Sequence, residues 1–254
     1  MSALFSDEDQ NDSTPLDLND GTKKYQTLLG MLIYVLRTRP DISYAVNRLA
    51  TRATVATHKD YQSLRQVAAY LNTTSHFELV YRRADKKQAS TVARLYAWSD
   101  AAFLTHHDSK SHSGICFSFG EDTGVFHARS QKQQMVTLSS TESETYAAVE
   151  ATKDIIYFRG LLKELGFPQA SPTPLYVDNK SLITLAQQYS GCHKRVRHFL
   201  ARINYMIEQV NCHVVRLEHL IGTELQADTL TKAKPRSTFE SDTRKLLGPQ
   251  RYKI

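Results

Sequence analysis

Between positions 144 and 165 the apolar residues recur at alternating steps of three and four. Counting back from the end, Leu165, Leu162, Phe158, Ile155, Ala151 and Ala148 share one face of a helix, and that spacing turns the face toward a core. One further step of four reaches Glu144. A carboxylate there is expensive to bury unless something positive neutralises it. Glu142 lies off this stripe and reads as the partner of Ser139 in a capping box, so the helix opens at Ser139. Gly166 and Pro168 stop it.

Upstream, Tyr25, Leu28, Leu29, Leu32, Ile33 and Leu36 form a wide helical stripe ending near Arg39-Pro40. Pro40 suits the start of a second helix, Asp41 to about Thr51, with Ile42, Ala45, Val46 and Leu49 inward. A third runs from about Lys59 to Leu71 and buries Tyr61, Leu64, Val67, Ala68 and Leu71. This small helical unit carries no arrangement suited to chemistry, and His58 reads as a helix-entry residue. Phe77 to Tyr81 alternates as a strand does. The pattern divides the chain into a tail over 1–21, a helical unit over 22–83, a polar linker over 84–93, a second domain over 94–236 and a C-terminal extension over 237–254.

The second domain begins with strands over 95–100, 114–120 and 125–130, joined by short turns into an antiparallel meander. The long helix follows, then a strand over 174–178 and a helix from Asn179 to about Gln188. A basic helix spans His193 to Gln209, and the last strand is Cys212 to Leu220. Thr223, with Gln226 as capping partner, opens a final helix that carries Asp228. The order β-β-β-α-β-α-α-β-α predicts an α/β fold: a mixed five-stranded sheet flanked by helices, in the order of the ribonuclease H fold.

Composition refines this picture. No apolar run approaches the length of a membrane span, and the acidic N-terminus does not read as a signal peptide. Cys116, Cys192 and Cys212, odd in number and widely spaced, predict neither a disulfide framework nor a zinc ribbon and fit a reducing intracellular setting, cytoplasmic or nuclear. His106, His107 and His112 cluster without a Cys partner and read as solvated loop residues. Residues 1–21 hold six acids and no Lys or Arg, so the chain's net +6 becomes +12 over residues 22–254. A basic body of this kind suits a polyanionic partner, nucleic acid first.

Four carboxylates stand out against these elements. Asp100 and Asp178 end strands, Glu144 faces the core, and Asp228 lies one turn into the last helix. If the strands of Asp100 and Asp178 are neighbours, their acids emerge side by side at the carboxyl edge of the sheet. Four like charges in one pocket need cations, and hard divalent ions, Mg²⁺ first with Mn²⁺ as a substitute, are the natural choice. Two such ions, about 4 Å apart, would support in-line hydrolysis of a phosphodiester. Taken singly, each acid except Glu144 has a plainer reading: Asp100 as a turn residue, Asp178 as a helix cap, Asp228 as a solvated acid favoured by a helix dipole.

From Tyr25 to about Gly248 the sequence also resembles the C-terminal end of a copia-type LTR retrotransposon Pol polyprotein: the tail of the reverse transcriptase, thumb- or connection-like, followed by RNase H. The matching pieces are Tyr25-Gln-Thr-Leu-Leu-Gly-Met-Leu-Ile-Tyr, Thr38-Arg-Pro-Asp-Ile-Ser-Tyr-Ala-Val, Trp98-Ser-Asp-Ala, Lys110-Ser-His-Ser-Gly, Ser130-Gln-Lys-Gln, Leu138-Ser-Ser-Thr-Glu-Ser-Glu, Val177-Asp-Asn-Lys-Ser and Leu225-Gln-Ala-Asp-Thr-Leu-Thr-Lys. The resemblance implies that Asp100, Glu144, Asp178 and Asp228 are the metal-binding catalytic positions. It implies Mg²⁺-dependent cleavage of the RNA strand of an RNA–DNA hybrid, with the upstream polymerase portion as partner. The family often carries a second Asp two residues after the first, where this chain has Ala102. Tyr176-Val-Asp-Asn imitates a polymerase motif but lacks its second Asp and leads into a helix, so no polymerase site is expected. His219, nine residues before Asp228, reads as a strand residue rather than the mobile-loop histidine of some RNases H.

A hybrid is recognised through groove shape, phosphates and 2′-hydroxyls rather than base sequence. Lys132, Lys180, Lys194, Arg195, Arg197 and Arg202 are the candidate phosphate contacts, with Gln134, Asn179 and Ser181 as candidate sugar or phosphate contacts. Competing readings are a nucleic-acid-binding remnant that has lost catalysis, and an integrase-like strand-transfer enzyme. The latter is disfavoured by a Glu on the first long helix together with Asp228.

Overall fold

The computed structural model of the chain describes residues 14–16, 20–81, 94–120, 122–187 and 199–250. The helical unit comprises α1 (Gly21–Val35), a 3-10 turn (Pro40–Ile42), α2 (Ser43–Ala50) and α3 (His58–Thr73). Most of the core that the periodicity predicts is present, with Tyr25, Leu29, Leu32, Ile42, Val46, Leu49, Leu64 and Val67 buried together, whereas Ile33 of the first stripe is exposed. The Tyr25 hydroxyl is satisfied inside that core by donating to the Leu49 carbonyl at 2.8 Å. Thr57 and Asp60 form the reciprocal capping box that starts α3, leaving His58 as an exposed entry residue.

The sheet contains β1 (Tyr96–Ala102), β2 (His112–Ser118), β3 (His127–Lys132), β4 (Thr173–Val177) and β5 (Val215–His219), in the order β3-β2-β1-β4-β5. The β1–β2 and β2–β3 pairs are antiparallel, and β1–β4 and β4–β5 are parallel. That is the mixed RNase H-like sheet read from the sequence. On one face α4 (Ser140–Glu164), α5 (Lys180–Gln187) and α6 (Leu200–Asn211) cover Ala97, Ile115, Phe117, Leu175 and Val177. The other face buries Trp98, Cys116, Leu225, Ala227, Leu230 and Leu246, beneath a 3-10 turn (Gln226–Leu230) and α7 (Arg236–Leu247). Tyr96, Trp98 and Tyr176 stack across this second face, adding to its area burial. No helix among the described residues is long and apolar enough to cross a membrane.

Several expectations are corrected here. Residues 77–81 form no strand: the Val80 N–H donates to the Leu247 carbonyl and its own carbonyl accepts from Gly124, so α7 and a turn use the groups a sheet would have paired. Asp228 lies on the 3-10 turn, which Leu225 precedes without a side-chain cap, and not on an α-helix opened by Thr223. An α-helix lies instead over 236–247, hidden from the pattern because its buried face mixes Phe239, Leu246 and Leu247 with Asp242 and Thr243. The basic helix is described from Leu200 onward, and its predicted start lies outside the described residues. Leu165, placed on the buried stripe of the long helix, is its C-cap and is 62% exposed.

Two of the three clustered histidines are the other correction, His107 being exposed as expected. His106 and His112 are buried between the helical unit and the sheet, where Tyr44 of α2 meets the His112 ring edge-on. The polar atoms form a line with one possible direction. Arg48 can only donate, so His106 accepts at Nδ1 and donates from Nε2 to His112 Nδ1. His112 Nε2 then donates to Ser130 Oγ, which donates to the Leu230 carbonyl on the turn beyond Asp228. Both rings are therefore neutral. Burial first, and then the Arg48 charge, pull His106 down to about 4; burial, then His106 and Arg48, pull His112 down to about 3.

A group neutral in the fold that ionises near 6.5 when unfolded contributes stability above that pH, and the contribution is lost as pH falls toward the folded value. His112→Gln keeps a hydrogen-bonding side chain but abolishes the titration. The stability gap between the native chain and this variant should narrow by about 2 kcal/mol between pH 7.5 and pH 5 in urea titrations. A gap that stays constant would contradict the neutral pair.

Candidate active site

Asp100 lies near the end of β1 and alternates onto the Trp98 face, where Thr231 Oγ1 donates to its Oδ2 at 2.5 Å. Glu144 approaches from the other face, on the early turns of α4, and accepts a hydrogen bond from the Ala101 backbone. Asp178 directly follows β4, the parallel neighbour of β1. The acids thus converge from both sides on the carboxyl end of the sheet. One carboxylate oxygen each from Asp100, Glu144 and Asp178 lies within 4.8 Å of the others.

This proximity is costly. Glu144 Oε2 is buried without a hydrogen-bond partner. Burial, then the charges of Asp100 and Asp178, push the Glu144 carboxyl well above its ordinary range. Burial and the Asp228 charge lift Asp100 to about 7 against the pull of the Thr231 hydroxyl. Asp178 is raised by burial and by Asp228. A buried oxygen with no donor and two carboxylates beside it fit a hard divalent ion, which would satisfy the first and neutralise the others. Glu142, by contrast, accepts from the Leu138 N–H at 2.7 Å while Ser139 caps its own N–H, so it serves the helix start.

Asp228 stands beside the three. Its Oδ1 pairs with Lys232 and its Oδ2 with Lys234, each at 2.5 Å. Lys234 is buried and also bonds Asp242 of α7, which accepts from Thr229 and Lys245 as well. The turn bearing Asp228 can settle on the sheet because the residue opposite Asp100 is Gly114. A Cβ at Gly114 would lie 2.6 Å from the Ala227 carbonyl and 2.8 Å from Thr231 Cγ2, closer than real side chains come. Gln133 performs a similar service for α4, donating to Ser113 Oγ at 2.9 Å and to the Ser143 carbonyl at 3.0 Å. Gly114, Gln133, Thr231 and Lys232 all fall inside motifs that the sequence shares with the copia family, which was the available signal for them.

The predicted substrate contacts are scattered. Lys132 pairs with Asp108 at 2.7 Å. Asn179 Oδ1 accepts from the Leu182 N–H at 3.0 Å and so caps α5, the role considered for Asp178. Gln134, Lys180 and Ser181 are exposed, and Arg202 stacks over Tyr146. Lys194, Arg195 and Arg197 lie outside the described residues. Ala102 is part-buried at the end of β1. His219 ends β5, as expected of a strand residue, and sits opposite Val177 close enough for its charge to lower the Asp178 carboxyl.

No family model matches the chain. The retrovirus-related Pol polyprotein from transposon RE2 of Arabidopsis thaliana is 31% identical over 240 residues, 92% of this chain. The chain belongs to the Pol polyproteins of copia-type transposons. It spans 16% of the length of the RE2 polyprotein. Another relative, the secreted RxLR effector protein 161 of Plasmopara viticola, is 34% identical over 135 residues, which are 52% of this chain and 89% of that protein. Among solved structures, the foamy viral protease-reverse transcriptase dRH in complex with double-stranded DNA covers 83% of this chain and 33% of its own, at 13% identity and a TM-score of 0.48. The fold of the present chain is RNase H-like on its own strand order.

Acids that hold protons more tightly folded than unfolded make the metal-free fold less stable as pH rises through the range between their two values. Glu144→Gln removes one of the repelling charges and retains an oxygen for the Ala101 N–H. With a chelator present at pH 7.5, this variant should melt above the native chain by on the order of 1 kcal/mol, or about 2–4 °C. A lower melting temperature would contradict the repulsion.

Proposed function

We propose that this chain is the RNase H portion of a copia-type polyprotein and cleaves the RNA strand of RNA–DNA hybrids with divalent metal ions. The observation that supports it best is the meeting of Asp100, Glu144 and Asp178 at one sheet edge, with the buried Glu144 Oε2 unpartnered. In this reading Asp100, Glu144 and Asp178 hold two Mg²⁺ ions, or Mn²⁺ in their place, with Asp228 as the fourth acid. Bound ions of this kind activate water and stabilise the leaving oxygen of a phosphodiester. The chain's own residues set the geometry: Thr231 fixes the Asp100 carboxylate, the Ala101 N–H fixes Glu144, and β4 delivers Asp178.

Residues 22–83 are, in the same reading, the end of the reverse transcriptase, and residues 94–236 the nuclease domain, followed by an extension over 237–254. The upstream polymerase portion then holds the hybrid against the site, inside the cell, in the cytoplasm or nucleus. Lys132, Lys180 and the basic residues near α6 are its phosphate contacts. One observation favours the alternative, a nucleic-acid-binding remnant without catalysis: both oxygens of Asp228 already carry a lysine.

A gel assay with a labelled hybrid separates these. The native chain should cut the RNA strand in Mg²⁺ and not in chelator. Asp178→Asn should lose more activity than the ~10–100-fold typical of removing a group behind a metal ligand. Binding without cleavage by the native chain would favour the remnant, and cleavage of duplex DNA or of RNA alone would contradict hybrid specificity.

A further inference from the structure

The two lysines on Asp228 are not equivalent. Lys234 is 6% exposed in its side chain and shared with Asp242, so it is fixed from two sides. Lys232, one helical turn after Asp228, is 52% exposed and rests on Oδ1. Its ammonium is near enough to Asp100 and Asp178 for their charges to act on it. Burial works against its charge, but the bond to Asp228 and the carboxylates of Asp100 and Asp178 outweigh that and raise its pKa. A long, flexible, exposed lysine can withdraw from such a pair at small cost, whereas a buried and doubly held one cannot.

We propose that Lys232 is an exchangeable cation: it occupies Oδ1 of Asp228 when no divalent ion is bound, yields that oxygen to an entering ion, and then places its ammonium on a phosphate of the substrate. Lys234 remains and keeps Asp228 attached to its turn through Asp242. The exchange needs only that the acids bind a divalent ion; the phosphate contact rests on the nuclease reading. The lysines on Asp228 then describe the resting site rather than a dead one.

The test is Mn²⁺ binding by the whole chain, followed through the electron paramagnetic resonance of free Mn²⁺. Lys232→Gln should bind Mn²⁺ roughly threefold or more tightly than the native chain, because a competing positive charge is gone, while Lys232→Arg should not. Binding of a hybrid with a 2′-O-methylated RNA strand, measured by fluorescence anisotropy in Mn²⁺, should weaken in Lys232→Gln, with its log–log salt slope smaller by about 1. Equal or weaker Mn²⁺ binding by Lys232→Gln overturns the exchange, as does an absence of Mn²⁺ binding in both chains. Tighter Mn²⁺ binding with unchanged hybrid binding overturns the phosphate contact. Tighter Mn²⁺ binding in a chain that cuts no hybrid supports the exchange and counts against the nuclease reading alone.

Discussion

Carboxylates that repel one another at the buried end of a sheet are the constraint on which the rest of this structure depends. Left to itself, a side chain such as Glu144 would turn to water, since an unpaired buried charge costs several kcal/mol. The fold prevents that by giving three of the acids a separate hold: the Ala101 N–H for Glu144, the Thr231 hydroxyl for Asp100, and Lys232 and Lys234 for Asp228. These holds reduce the repulsion without abolishing it, as the raised Asp100, Glu144 and Asp178 carboxyls show.

The acids reach one point because they come from opposite faces. α4 brings Glu144 over the Ala97 side of β1, while the turn over 226–230 brings Asp228 and Thr231 over the Trp98 side. That turn is held by Gly114 beneath it, by Asp242 of α7 through Lys234, and by Ser130, which ends the line of hydrogen bonds starting at Arg48 of the helical unit. The helical unit and the acid-bearing turn are therefore mechanically continuous, although the helical unit contributes no acid to the site. Rigid elements carry most of the site directly: Asp100 lies inside β1 and Glu144 inside α4, while Asp178 stands just beyond β4.

How much of this could be read in the sequence depended on whether the signal was periodic. The α4 stripe and the misplaced Glu144 were visible because a carboxylate breaks a strong 3.6-residue pattern. The order of elements follows from three closely spaced strands and helix-linked returns, and the strand-end positions of Asp100 and Asp178 come with it, while the pairing of β1 with β4 enters the sequence reading only as a condition. What escaped was set by long-range contacts. The burial of His106 and His112 depends on Arg48 and Tyr44, about 60 residues away and unreadable from local polarity. Asp228 reads as helical because Thr223 and Gln226 have the spacing of a capping pair, whereas a 3-10 turn starts after Leu225 without a side-chain cap and packs closely over Gly114. α7 itself escapes the pattern because Asp242, which binds Lys234, Lys245 and Thr229, and Thr243 beside it interrupt the apolar face.

The central claim, that Asp100, Glu144 and Asp178 form one cation site, is tested most directly by crystals soaked in Mn²⁺ with data collected for anomalous scattering. The account predicts anomalous density bounded by these three carboxylates, with Glu144 Oε2 among the ligands. Density confined to other parts of the molecule, or carboxylates drawn together with no ion between them at saturating Mn²⁺, would contradict it.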